Sequence, residues 1–450
     1  MLSAFLSAFR TPDLRKKLLF TVGIIGIYRL GATLPSPGVS YTHVQNCLDA
    51  EKTDVSGVFT LLNLFSGGAL LQLSVFALGI MPYITASIIL QLLTVVVPRF
   101  EQLRKEGQAG QAKITQYTRY LTLGLGVLQS ASFIALARSG AMFGNLCPQT
   151  DGSETQIIPN MSSEGMPVWL TLTAVIITMT AGTGVIMWLG ELITDRGVGN
   201  GMSVLIFTSI AARIPGEGWK IHEGPNGWYK FSAVIAMVLV VIGLVVYIEQ
   251  AQRRIPVQYA KRMVGRRMYG GTSTYIPLKV NQAGVVPVIF ASSLLYLPQL
   301  LLQFFNQNNL SAWQLWIKNH IVSATTWEHI SIYFLMIIFF TYFYVSITFN
   351  PTEVADNMKK YGGFVPGIRP GKPTADYLNF ILSRITLPGA LYLGLISILP
   401  NFMFIWLNSQ AFQNFPFGGT AVLIMVGVGL ETVKQIESQL MQRNYEGFLR

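Results

Sequence analysis

The chain has 450 residues, of which 51% are hydrophobic and 12% charged, against roughly 25% charged in soluble domains. Repeated long runs without Asp, Glu, Lys or Arg exclude a soluble globular fold and define an integral membrane protein. The formal net charge of +11 therefore has to be divided between the two sides of a bilayer before nucleic acid is considered as its reason.

Residues 1–17 combine Leu2, Phe5, Leu6 and Phe9 with Arg10, Arg15, Lys16 and Lys17. They read as a cytoplasmic amphipathic helix at the interface, without the small-residue cleavage site of a removable signal. Ten apolar segments follow, each expected to form a transmembrane helix. They run Leu18 to Leu34, Ser74 to Val96, Tyr120 to Ala137, Val168 to Leu189, Gly199 to Arg213, Phe231 to Ile248, Ala283 to Phe305, Ile330 to Phe349, Ile385 to Leu407, and Phe415 to Leu430.

The second of these lies in a stretch of 43 uncharged residues, Val55 to Val97, whose first part, GVFTLLNLFSGGALL, spans only 15 residues and is too short to cross. Asn63, Ser66, Gly67 and Gly68 weaken a helix there and expose backbone, which in lipid must be satisfied by protein or by a water-filled cavity. A short helix lodged in a cavity and a re-entrant turn are both compatible with that composition.

Five segments precede residues 214–230, IPGEGWKIHEGPNGWYK, and five follow, so the second half enters the membrane inverted relative to the first. The domains read as an N-terminal half, 18–213; a connecting loop, 214–230, that serves as a hinge or as an interfacial turn anchored by Trp219, Trp228 and Tyr229; a C-terminal half, 231–434; and a cytoplasmic tail, 435–450. With the amino terminus inside, 25 Lys and Arg lie on the cytoplasmic side and seven outside, which places both termini in the cytoplasm.

Two cytoplasmic loops, about 249–282 and 350–384, are long enough to form a protruding platform. The first holds Arg253, Arg254, Lys261, Arg262, Arg266 and Arg267, and its β-favouring residues with Pro256, Gly270 and Gly271 predict a hairpin. The second displays Arg369 and Lys372 on a Gly/Pro-set turn. Clustered cations of this kind suit RNA phosphate or an acidic protein surface, although fixing topology alone would also account for them.

No catalytic pattern emerges. His43, His222, His320 and His329 fall in outward loops, and the chain lacks HExxH, CxxC and a Walker glycine loop. GVGNG at Gly197 to Gly201 is too short for GxGxxG and opens a segment instead of following a strand. Arg29 is the one charge well inside a segment, near its outer end, where snorkelling accounts for it. Glu191 and Glu431 lie near cytoplasmic ends, so no midplane acid suggests a coupled transporter. Cys47 and Cys147 fall in outward loops, as small surface residues or as a disulfide.

The motifs NLFSGGALLQLSVFALGIMPYITASIILQLL, WLGELITDRGVGNGMS, QRRIPVQYAKR and PGIRPG, in this order along the chain, resemble the SecY family of protein-translocon channel subunits. The resemblance implies an all-α membrane protein of ten transmembrane helices in two inverted five-helix halves. It implies a polypeptide-conducting channel in the bacterial plasma membrane, opening across the bilayer for signal-bearing nascent chains and sideways for membrane segments. SecE and SecG small subunits, the SecA motor ATPase and the ribosome are the partners it implies; neither a cofactor nor a metal is expected.

It also assigns residues. Residues 58–70, with Asn63, Phe65, Ser66, Gly67 and Gly68, would form a short plug helix, the two glycines keeping it thin and able to pivot. Ile80, Ile84, Met202, Ile206, Ile289 and Ile424, with Leu423 a near-equal rival of Ile424, would form an apolar pore ring that dewets. Periodicity alone does not separate these six from core residues. Thr85, Ser87 and Gln91, facing Gln299 and Gln303, would line a lateral gate, where polar groups could equally be ordinary interhelical contacts. Arg253, Arg254, Lys261, Arg262, Arg266, Arg267 and Arg369 would dock the ribosome or motor.

Overall fold

The computed structural model describes residues 9, 11–42, 44, 66–138, 168–223, 227–259, 262–264, 267–269, 273–303, 311–322, 326–407 and 419–448. The chain divides into two compact units, Met1–Ala233 with Leu407–Phe417 and Val428–Arg450, and Val234–Trp406 with Gly418–Gly427.

The first unit is built from helices α1 (Pro12–Thr33), α2 (Met81–Val96), α3 (Pro98–Lys105), α4 (Gln108–Arg138), α5 (Val168–Arg196) and α6 (Gly201–Glu223). Prolines set three of the starts. Pro12 follows an extended Thr11, Pro82 lies in the first turn of α2, and Pro98 opens α3. Because proline disfavours a helical residue before it, Val97 is extended (φ −102, ψ 113), and α2 and α3 meet at 96°.

Successive helices α4, α5 and α6 pack side by side, and α1 packs on α5. Close approach falls on glycines: a Cβ at Gly201 would stand 1.8 Å from the Gly190 carbonyl oxygen, so α5 and α6 touch backbone to backbone. Arg119 of α4 makes two 2.8 Å bonds to the Glu191 carboxylate of α5. Leu14, Val198 and Ile436 form a small cluster that ties the start of α1 to the GVGNG loop and to the last helix, so the entry to α1 is packed on protein.

The second unit holds α7 (Gly227–Gln250, its first turns in the first unit), α8 (Val286–Gln303), α9 (Ala312–Ile317) with a π turn at Lys318–Val322, α10 (Trp327–Thr348), α11 (Pro351–Lys360) and α12 (Lys372–Leu407). The last helix, α13 (Gly419–Phe448), is shared between the units. Phe290 of α8 stacks on Phe340 of α10 with ring centroids 5.4 Å apart, and Gly394 of α12 receives the Phe334 ring of α10.

The predicted hairpin is present. Strand β1 (Gln252–Tyr259) pairs antiparallel with β4 (Ser273–Lys279), and the short strands β2 (Arg262–Val264) and β3 (Arg267–Tyr269) pair near its tip. A strand from the second long loop, β5 (Gly363–Phe364), joins the other side of β1, giving the order β4-β1-β5. β5 pairs only with Gln258 and Tyr259, beyond Pro256, so the missing N–H of that proline does not interrupt it. Ile255 and Leu278 of the sheet bury against Val365, Leu378 and Ile381.

Each of the ten expected segments overlaps a helix. By length and apolarity, the described residues hold four helices able to cross a membrane, in Trp169–Arg196, Gly227–Gln250, Trp327–Lys360 and Lys372–Leu399, or five if the bent α2–α3 pair counts as one. Three expectations are corrected. The second segment begins as α-helix at Met81, not Ser74, because residues 66–80 form consecutive turns with positive φ at Leu73 and Gly79. The loop 214–230 is helical in its described parts, with α6 running through Pro215 to Glu223 and α7 starting at Gly227. There His222 stacks on Trp219 and lies edge-on to Trp228, so aromatic contacts offset the weak local propensity. Finally, α12 begins at Lys372, well before Ile385, and α13 runs on through the expected tail.

Candidate functional site

The stretch after the undescribed residue 65 is buried backbone held by side chains. Ser66, Gly67, Gly68, Ala69 and Leu70 are all buried. Gly67 (φ +69) and Gly68 (φ +96) occupy the left-handed region, which a Cβ penalises. The Ser66 hydroxyl accepts from the Leu70 N–H at 3.0 Å and closes the turn. Further on, the strand-like end of α1 takes hold: Ser36 N–H donates to the Leu73 carbonyl and Val75 N–H to the Leu34 carbonyl, around an antiparallel bridge between Pro35 and Ser74. Leu70, Leu71, Leu73, Ala77 and Leu78 pack against Phe133 and Ile134 of α4 and Val175 and Met179 of α5.

Two helices grip the diglycine. From α1, the Arg29 guanidinium donates to the Gly67 carbonyl at 3.1 Å. Its neighbour Tyr28, buried and stacked on Phe76, shares a 2.6 Å hydrogen bond with Ser209 of α6. The Ser209 hydroxyl also donates to the Leu205 carbonyl, so Tyr28 is the donor to Ser209. A Cβ at Gly67 would stand 3.0 Å from Arg29 Nη1 and 3.3 Å from Ser209 Cα, and one at Gly68 3.0 Å from Arg213 Nη1. The glycines are therefore required by close approach as well as by φ.

This corrects two expectations. Arg29 does not snorkel; it turns to a carbonyl 38 residues away, because an unpaired buried carbonyl costs more than an ordered arginine. The described end of the expected plug helix, residues 66–70, is a run of turns. Asn63 and Phe65 lie outside the described residues. Tyr28, Arg29, Ser209 and Arg213 were missed as site residues, although a lone arginine in an apolar segment was the available signal.

Of the expected ring, Ile80, Ile206, Ile289 and Ile424 are buried and Ile84 and Met202 partly so. Leu423 is as buried as Ile424. Met202 lays its thioether on α5, where a Cβ at Gly190 would meet Sδ at 2.5 Å. Ile80, Ile84, Met202 and Ile206 belong to the first unit and Ile289 and Ile424 to the second.

Of the expected gate, Thr85 donates to the Met81 carbonyl of its own helix at 3.0 Å, and Gln91 is exposed. Ser87 is half-buried on the same helix, and Gln299 and Gln303 lie on α8 after Pro298.

On the sheet, Arg253 and Arg254 are exposed, and the Arg254 guanidinium lies 4.9 Å from the Tyr275 ring centroid across the β1–β4 ladder. Arg262 and Arg267 lie on β2 and β3, whereas Lys261 and Arg266 lie outside the described residues. Arg369 is exposed on the turn between β5 and α12, its carbonyl accepting from the Thr374 hydroxyl at 2.8 Å. Pairing of β1 with β5 thus brings both cationic loops into one body.

The sequence profile of the SecY family matches residues 74–433. The chain is 64% identical to the protein translocase subunit SecY of Streptomyces scabiei and 60% identical to that of Mycobacterium tuberculosis, covering 100% of both partners each time. Its structure is similar to that of a protein conducting channel, with TM-score 0.60, 18% identity, and 94% of this chain and 91% of that one covered. It is also similar to Sec61 in the canine ribosome-channel complex from the endoplasmic reticulum, with TM-score 0.58, 18% identity and the same coverage. The fold is that of these channels, in a multi-pass membrane protein. The chain belongs to the SecY family.

Proposed function

We propose that the chain is the channel-forming subunit of a protein translocase, carrying secretory polypeptides across the plasma membrane and releasing apolar segments sideways into lipid. The observation that carries this reading is its full-length identity of 60–64% with curated translocase subunits. In this reading ten spans form two inverted halves with both termini cytoplasmic. Residues 58–70 are the stopper of the resting channel, and Ile80, Ile84, Met202, Ile206, Ile289 and Ile424 its apolar waist.

A narrow aliphatic collar dewets, so it blocks ions yet yields to a passing chain. Sorting then follows from transfer energy: Leu contributes about −0.3 to −0.6 kcal/mol and a charge about +2.5 to +3.5 kcal/mol at a helix centre, summed over roughly 20 residues. Such a channel needs no bond chemistry of its own. Energy comes from the SecA motor or from a translating ribosome, docked on Arg253, Arg254, Lys261, Arg262, Arg266, Arg267 and Arg369, with SecE and SecG completing the complex. The buried Ser66–Leu70 turn supports a stopper, because a segment satisfied by protein contacts can leave and return as a unit.

Reconstituted vesicles test the reading. Secretory precursor becoming protease-protected with motor and ATP is the expected result; small-solute uptake without precursor protection would overturn it.

A further inference from the structure

We infer that Arg29 is the positioning residue that seats the Ser66–Gly68 turn, so that its bond to the Gly67 carbonyl sets how often the stopper leaves its place. This rests on the stopper reading above.

Three features of the contact distinguish it from a chance approach. The donor comes from α1 and the acceptor from a turn 38 residues later in the chain. Gly67 presents its carbonyl to Arg29 at φ +69, and a Cβ there would crowd the guanidinium at 3.0 Å, so the contact fits glycine best. The base of Arg29 is itself fixed, since its neighbour Tyr28 is bonded to Ser209 and stacked on Phe76.

A guanidinium on a neutral carbonyl is also the right strength for a reversible catch. A carboxylate in place of the carbonyl would bury a second charge, and parting the pair would leave an uncompensated charge behind at a higher cost. A charge-assisted bond to a carbonyl shifts a two-state equilibrium by about tenfold to a hundredfold, enough to keep a stopper seated and still release it under load. Lysine would supply charge without the planar fork that reaches past the glycine.

The seating of the turn can be read without altering any other residue of the contact, since the Leu70 N–H is held by the Ser66 hydroxyl at 3.0 Å and exchanges its hydrogen only when the turn opens. With the whole chain in lipid nanodiscs, the amides of residues 66–73 should be protected from hydrogen exchange. Arg29→Gln should raise their exchange rate by about tenfold or more, and Arg29→Lys by less. At equal channel abundance, Arg29→Gln should also raise resting ion conductance in planar bilayers, and Arg29→Lys should raise it less.

Unchanged exchange at residues 66–73 in Arg29→Gln overturns the inference. Faster exchange with unchanged conductance keeps the seating role and overturns the stopper reading instead. Loss of abundance without either change would mark Arg29 as a purely structural residue and also overturn the inference.

Discussion

The 66–80 turns and the β4-β1-β5 sheet solve the same problem, backbone without a helix, in opposite ways. In the sheet, seven consecutive residue pairs run in register from Gln252↔Lys279 to Gln258↔Ser273, with Arg254 exposed on one face and Ile255 and Val257 buried on the other. In the turns, short-range bonds such as Leu73 N–H to the Leu70 carbonyl are supplemented one at a time by distant partners, Arg29, Leu34 and Ser36. A ladder repeats one cooperative pattern, whereas these distant catches are single and separate.

Substitutions should separate the two. The largest effect is expected from Gly182→Val in α5, because a Cβ there would stand 2.0 Å from the Val75 carbonyl oxygen and the turns would have nowhere to lie. The protein should fail to accumulate, scored by blotting of membranes, while Gly184→Val, two residues further on and facing only the Leu123 methyl at 3.6 Å, should accumulate normally. Next comes Ile255→Ala, which removes a side chain only 2% exposed from the sheet core and should cost about 2–5 kcal/mol. Limited proteolysis should then cut the platform first and leave amide exchange at residues 66–73 unaffected; parallel loss of both would erase the contrast.

A smaller effect is expected at Arg119–Glu191, whose side chains are 48% and 23% exposed. A double-mutant cycle with Arg119→Gln and Glu191→Gln should give a coupling of no more than about 1 kcal/mol in thermal melts. Arg254→Ala should leave the sheet folded, forfeiting about 0.5–1 kcal/mol of cation–π contact with Tyr275, and should flatten the salt dependence of ribosome or motor binding measured by co-sedimentation. The smallest is Gln91→Leu on the exposed face of α2: the threshold for insertion of graded Leu/Ala segments should shift by about one leucine, and an unchanged threshold would remove Gln91 from the gate.

Apolar runs and the Pro/Gly/β-branched pattern of the hairpin were legible because each signal is local: Pro12, Pro82 and Pro98 mark starts, and Val257 with Ile255 alternates with exposed neighbours. What escaped was decided by contacts far along the chain. Nothing near residue 74 says that Leu34 and Ser36 will pair with it, so an apolar run read as helix is in fact turns. Likewise Gly363 and Phe364 carry no strand signal of their own and become β5 only because β1 has an open side. Arg29 was visible and misassigned, since a sequence shows that a charge is buried but not which carbonyl receives it.

The two-residue pairing of β5 has a mechanical corollary. It clips the loop leading to α12 onto the strand leading out of α7, so a partner that levers the hairpin tugs on both helices together. With two residues in the clip against seven in the β1–β4 ladder, rising load should part β5 first. The platform would then behave as a shear pin, transmitting modest pushes to the membrane helices and uncoupling them from excessive ones.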